Sequence, residues 1–80
     1  MLSFTEENYL KAILLITLNE APNNEAGTNQ LAAYLGVKPA TATDMLKKLR
    51  EKELISYKRY GKISLSEIGR KKAVEVLRKH

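Results

Sequence analysis

Apolar residues recur at helical spacing in four stretches of this chain and alternate in two short runs. Ser3-Phe4-Thr5-Glu6 reads as a capping box, with a serine at the N-cap and a glutamate three residues on, each answering the other's backbone donor. A helix is predicted from about Phe4 to Asn19. It is apolar on two stripes: Tyr9, Ile13 and Ile16 on one, Leu10, Leu14 and Thr17 on the other. A surface helix needs only one such stripe. This helix is therefore expected either to run through the centre of the fold or to press one stripe on something outside these residues. Residues 20–27 hold a proline, two asparagines and a glycine, and predict a loop. Thr28 is then expected to cap a short helix to about Leu35, with Leu31, Ala32 and Leu35 inward and Gly36 at the C′ position.

After the Val37-Lys38 turn, Pro39 opens a third helix, because its missing N–H would be unpaired at that position anyway. This helix is expected to reach about Glu53, with Ala42, Met45, Leu46 and Leu49 toward the core. The period then falls to two in Ile55-Ser56-Tyr57-Lys58 and again in Lys62-Ile63-Ser64-Leu65. Arg59-Tyr60-Gly61 lies between them, so a β-hairpin is predicted. Ser66 caps a last helix, on which Ala73, Val76 and Leu77 share a face. Two helices joined by a short glycine-bearing turn are the helix-turn-helix signature, and a hairpin after the second adds a wing. The predicted fold class is mainly α, a winged helix-turn-helix: a three-helix core, a β-hairpin wing and a C-terminal helix, in one domain over residues 1–80.

Length agrees with a single domain. Eighty residues hide only about 60% of the unfolded surface on folding, and an apolar content of 44% suffices for a small core. With no cysteine, disulfides and zinc-thiolate sites are excluded. The start carries glutamates instead of a basic leader, and the longest apolar run, Ala12 to Leu18 with Thr17 inside it, is too short to span a membrane. A cytoplasmic setting is expected.

Charge changes the picture more. Residues 1–37 carry one basic residue against four acidic ones, whereas residues 38–80 carry thirteen basic against five acidic. A basic surface gathered in one half of a small domain suits a polyanion. A helix fits the major groove of B-form DNA, where base edges present a distinguishable pattern of donors and acceptors. The leading residues of a recognition helix meet the bases while its surroundings grip phosphates. On the third helix these leading residues are Lys38, Pro39, Ala40, Thr41, Thr43 and Asp44, followed by Lys47 and Lys48. Thr43 can hydrogen-bond or set its methyl on a thymine methyl, and Pro39 and Ala40 offer apolar contact. Asp44 repels phosphates, but it can accept from a cytosine amine or pair with a neighbouring lysine. The wing adds Lys58, Arg59, Tyr60 and Lys62. Nothing resembles an active site: Ser3, Ser56, Ser64 and Ser66 are accounted for by caps and strand faces, and His80 is the sole histidine. No enzymatic activity is expected.

With these residues in view, the sequence resembles the N-terminal DNA-binding part of the iron- and manganese-dependent repressors, the diphtheria toxin repressor and manganese transport regulator family. The resemblance covers nearly the whole chain. It rests on Thr5-Glu6-Glu7-Asn8-Tyr9-Leu10, on Thr28-Asn29-Gln30-Leu31-Ala32, on Leu35-Gly36-Val37-Lys38-Pro39-Ala40-Thr41-Ala42-Thr43-Asp44-Met45-Leu46-Lys47-Lys48-Leu49, and on Leu65-Ser66-Glu67-Ile68-Gly69-Arg70. Leu77-Arg78-Lys79-His80 looks like the family's link toward its metal and dimerisation region. The resemblance implies a cytoplasmic repressor, homodimeric at full length, that is activated by Fe(II) or Mn(II), binds double-stranded DNA and silences metal-uptake genes. It also implies that Thr28 lies near the DNA, at the start of the second helix. In the family, metal ligands come from the first helix, from a histidine at the position of His80, and mainly from a following domain. Asn8 and Lys11 fall where manganese-type members have carboxylates. An asparagine can lend only a carbonyl oxygen and a lysine cation nothing, which tilts the resemblance toward the iron type.

The last helix has no stop signal, and the resemblance breaks off at the family's domain boundary, so a piece of a longer chain is expected. Metal affinity and dimerisation should then be weak or lost in these 80 residues. Two other readings stay open on the residues: a winged-helix protein-interaction module, and a winged-helix regulator that needs no metal.

Overall fold

The capping box forms as the spacing requires. The Ser3 amide donates to Glu6 Oε1 and the Glu6 amide donates to Ser3 Oγ, both at 3.1 Å. Helix α1 (Phe4–Asn19) follows directly. The computed structural model describes residues 3–19, 26–57 and 61–79. Over these, the chain continues through β1 (Ala26–Gly27), α2 (Thr28–Leu35), α3 (Pro39–Glu51), β2 (Ile55–Tyr57), β3 (Lys62–Leu65) and α4 (Glu67–Lys79).

Both apolar stripes of α1 lie inside the domain: Tyr9, Leu10, Ile13, Leu14, Ile16 and Thr17 are all buried. Of the two alternatives, the central helix is the one observed, and neither stripe is left for a region outside these residues. Helix α1 is central because α2, α4 and β3 all pack on it. Its outward face is a third one, bearing exposed Phe4 and Leu18 with half-buried Asn8 and Lys11 between them. The buried hydroxyl of Thr17 donates to the Leu14 carbonyl at 2.9 Å, which removes the desolvation cost of an unpaired group.

The helix-turn-helix pair α2–α3 packs around Leu31, Ala32, Ala42, Leu46 and Leu49. Helix α2 ends on a Schellman motif: Gly36 sits at φ 70°, and the Val37 amide donates to the Ala32 carbonyl at 3.0 Å. Pro39 opens α3 at its first turn, as its ring geometry favours. Helix α3 stops at Glu51, two residues before the expected end. A second Schellman motif ends it, with the Leu54 amide on the Leu49 carbonyl and the Glu53 amide on the Arg50 carbonyl. Glu53 occupies the left-handed position at φ 60°, which local sequence rules assign to glycine.

The hairpin pairs β2 with β3 in antiparallel register, Ser56 opposite Ser64 and Tyr57 opposite Ile63. The sequence suggested a strand through Lys58; β2 covers Ile55–Tyr57, and Lys58 lies outside the described residues. A third strand was not expected. Ala26 and Gly27 pair with Ile63 and Lys62, so the end of the predicted loop is an edge strand and β3 is central. Ser66 caps α4, its Oγ accepting from the Gly69 amide at 3.0 Å. Ala73 and Val76 are buried against α1, with Leu77 half-buried beside them.

Candidate nucleic-acid interface

The leading end of α3 is open to solvent. Lys38, Pro39, Ala40, Thr41, Asp44, Lys47 and Lys48 are all exposed, while Ala42, Leu46 and Leu49 hold the opposite face in the core. At 100° per residue, Ala40, Asp44 and Lys47 follow one another along the middle of the outer face. This is the face a groove would meet. Helix C-termini favour cations, and Lys48 and Arg50 occupy the last turn of α3.

Thr43 is half-buried, and its hydroxyl donates to the Pro39 carbonyl at 2.9 Å. Its proton is spent inside the helix, and it presents lone pairs and a methyl. Asp44 carries no ion pair with Lys47 or Lys48, so of its two alternatives the lysine partner is not the one observed, and its carboxylate is available as an acceptor.

Thr28 has a different role from the one its position suggested. It is not the cap: Gly27 is, in extended conformation, and the Gly27 amide donates to Gln30 Oε1 at 3.4 Å. Pairing of β1 with β3 brings the wing alongside, and Thr28 Oγ1 donates instead to the Gly61 carbonyl at 3.1 Å. The result is a shallow notch lined by Gly27, Thr28, Asn29, Gln30, Gly61 and Lys62. The Lys62 ammonium lies 3.8 Å from the point where a Cβ on Gly27 would sit. A helix start carries unpaired N–H groups and partial positive charge, so Lys62 adds a full charge of the same sign beside it. Helix α3 packs on β2, which sets the root of the wing against the recognition helix. Lys58, Arg59 and Tyr60 fall outside the described residues, as does His80.

Two features of this surface escaped sequence reasoning. Arg50 extends the stripe Pro39-Thr43-Lys47 by one turn, and its guanidinium carbon stands 5.5 Å from the centroid of the Tyr57 ring. The seven-residue separation crosses a helix end and a turn, where no periodicity could relate the two residues. Tyr57 is half-buried, its hydroxyl is enclosed without a hydrogen-bond partner, and burial pushes its pKa up. Conversely, not all of the basic half belongs here: Arg70, Lys71, Lys72 and Arg78 lie on the exposed side of α4, which packs on α1 and β3.

The described residues do not fit a metal ion. They contain no cluster of three or more histidine, aspartate or glutamate side chains. Asn8 and Lys11 stand half-buried on the outward face of α1, and neither side chain supplies the anionic oxygen that hard cations require. Among the described residues, no helix is long and apolar enough to cross a membrane.

Comparison with known proteins bears on the nucleic-acid reading of the α3 surface. Residues 1–63 match the model of the iron dependent repressor, N-terminal DNA binding domain. The chain is 36% identical over 74 residues to an HTH-type transcriptional regulator of Methanocaldococcus jannaschii, an overlap of 92% of this chain and 58% of that protein. Among solved structures, it superposes on T. acidophilum IdeR with a TM-score of 0.86 at 30% identity, covering all of this chain and 36% of that one. A double mutant of Lactococcus lactis ZitR gives a TM-score of 0.72 at 29% identity, covering 96% of this chain and 51% of that one. The chain thus spans less than two thirds of each of these relatives.

Proposed function

The chain belongs to the iron dependent repressor family through its N-terminal DNA binding domain, and from that premise we propose that it is the operator-reading unit of a metal-responsive transcriptional repressor. The observation that carries this reading is the exposed leading end of α3, on a helix that also packs on the first strand of the wing. In this reading α3 enters the major groove. Ala40, Thr41 and the methyl of Thr43 face base edges, and Asp44 accepts from a cytosine amine. Lys38, Lys47 and Lys48 flank the groove. Lys62, the start of α2 and the wing residues Lys58, Arg59 and Tyr60 hold the backbone.

The finer assignments are also ours. Residues 1–80 act as one cytoplasmic winged-helix domain with no catalytic chemistry. The full-length protein pairs two copies, so that two recognition helices meet successive major grooves. Fe(II) or Mn(II) controls that pairing through donors that the described residues do not supply, with His80 as one candidate ligand and Asn8 a weak one.

Fluorescence anisotropy on labelled duplexes tests the assignment of roles. Thr43→Ala, which removes the methyl, should lower discrimination between duplex sequences and leave the salt dependence intact. Lys47→Ala or Lys48→Ala should weaken every duplex and reduce the slope of log affinity against log salt by about 1. A wild-type response that is flat in salt would remove DNA from this surface and leave a protein partner as its occupant.

A further inference from the structure

We propose that Arg50, whose guanidinium carbon lies 5.5 Å over the Tyr57 ring at the junction of α3 and the wing, is a pre-positioned clamp for a DNA backbone phosphate. The inference rests on the DNA-binding reading and adds to it a phosphate-binding residue and the residue that positions it.

Arg50 is exposed, and it forms no ion pair with any described carboxylate. A guanidinium over an aromatic ring keeps one face on the ring and its N–H edge free. That edge matches the oxygens of a phosphate in a bidentate arrangement. Tyr57 is itself fixed. Its backbone pairs with Ile63 at the centre of the sheet, and its side chain packs against the hydrophobic core. The ring therefore holds the guanidinium at a shallow depression that it lines with Lys47 and Glu51, on the stripe that runs back to the reading end of α3. An arginine free in solvent would lose side-chain freedom on meeting a phosphate. One already resting on a fixed ring loses less. The Tyr57 hydroxyl has no partner, so the ring, and not the hydroxyl, is the working part.

The test uses the 80-residue chain and a labelled duplex of arbitrary sequence, titrated from about 0.05 to 0.5 M salt. One phosphate contact accounts for a slope of about 0.9 in log affinity against log salt. Arg50→Ala should therefore lower the slope by about 0.9 and weaken binding about eightfold at 0.1 M salt. Arg50→Lys should keep the slope and weaken binding by a smaller factor, because the charge survives without the planar fork. Tyr57→Leu should likewise keep the slope and weaken binding. Tyr57→Phe, which retains the ring, should restore wild-type affinity, an outcome that a role for the hydroxyl would not give. Circular dichroism verifies that each variant is folded, and Tyr57→Phe and Arg50→Lys carry the test should Tyr57→Leu unfold. If Arg50→Ala leaves slope and affinity unchanged while Lys47→Ala reduces both, the clamp is refuted and the DNA reading stands. If the wild-type chain shows no salt-dependent duplex binding, both fall together.

Discussion

Gly69 lies in the first turn of α4, where helix propensity alone says that alanine would be better by about 1 kcal/mol. The tertiary structure reverses that sign. A Cβ built on Gly69 would stand 1.8 Å from the Leu54 carbonyl oxygen and 2.8 Å from its carbon, where ordinary contact begins at 3.4 Å. Relief would need a separation of about 1.6 Å between the helix and the turn. The turn cannot give way cheaply. The Ser66 amide donates to that same Leu54 carbonyl at 3.0 Å, and Ser66 Oγ donates to the Glu53 carbonyl at 2.7 Å. Opening the gap breaks these bonds and lifts buried Ala73 and Val76 off α1. Overpacking costs about 1–3 kcal/mol, and a buried carbonyl left unpaired costs about 1–3 kcal/mol more. After the propensity gain, Gly69→Ala should destabilise by about 3 kcal/mol. A domain of this size has a total stability of only about 4–12 kcal/mol. Urea denaturation followed by circular dichroism should show the midpoint falling by about 2 M. Gly36→Ala is the control. Its φ is 70° but nothing lies within 4 Å of the added methyl, so only the left-handed backbone is penalised, by about 1 kcal/mol. The reasoning fails if Gly69→Ala is as stable as wild type, or if the two substitutions cost the same.

Glu53→Gly should stabilise the chain by about 0.5–1 kcal/mol, because the φ of 60° at that position favours glycine; a lower urea midpoint for the variant would contradict this. Nearly buried Glu6 bonds the Lys52 ammonium at 2.5 Å, and that bond, outweighing desolvation, holds its carboxyl below the ordinary 4.5. Its stabilising contribution is full above that value and is lost as pH falls through the lower folded value. Glu6→Gln should accordingly flatten the acid limb of a stability–pH profile, and an unchanged limb would show that the pair contributes nothing. Calorimetry of the 80-residue chain with Mn(II) or Fe(II) should detect no tight stoichiometric binding, since the described residues offer no donor cluster; a sharp one-to-one isotherm would overturn this.

Most of the elements were legible from local rules. The Ser3–Glu6 box, Pro39 at a helix start, Gly36 at a helix end and the Ser66 cap are short-range devices, each satisfying backbone groups within a few residues. The exposed residues of α3 were legible for a related reason, since an amphipathic helix declares its outer face by period. The misses share a cause as well. The end of α3 was placed late because Glu53 adopts a backbone shape that its side chain does not advertise. Strand β1 was overlooked because two residues carry no period, and only pairing with β3 makes Ala26 and Gly27 extended.

By its own periodicity and capping chemistry, the sequence determined the four helices and the hairpin of the described residues, and which side of α3 faces outward. It also determined the excess of positive charge from residue 38 onward. Tertiary structure decided what those local patterns could not contain. It buried both stripes of α1, diverted Thr28 from cap to wing tie, and set Arg50 on Tyr57. It also pressed α4 so closely on Leu54 that position 69 admits no side chain. The division has one physical basis. Hydrogen bonds within a turn act between neighbours in sequence, whereas packing and close approach act between residues that only the folded chain brings together.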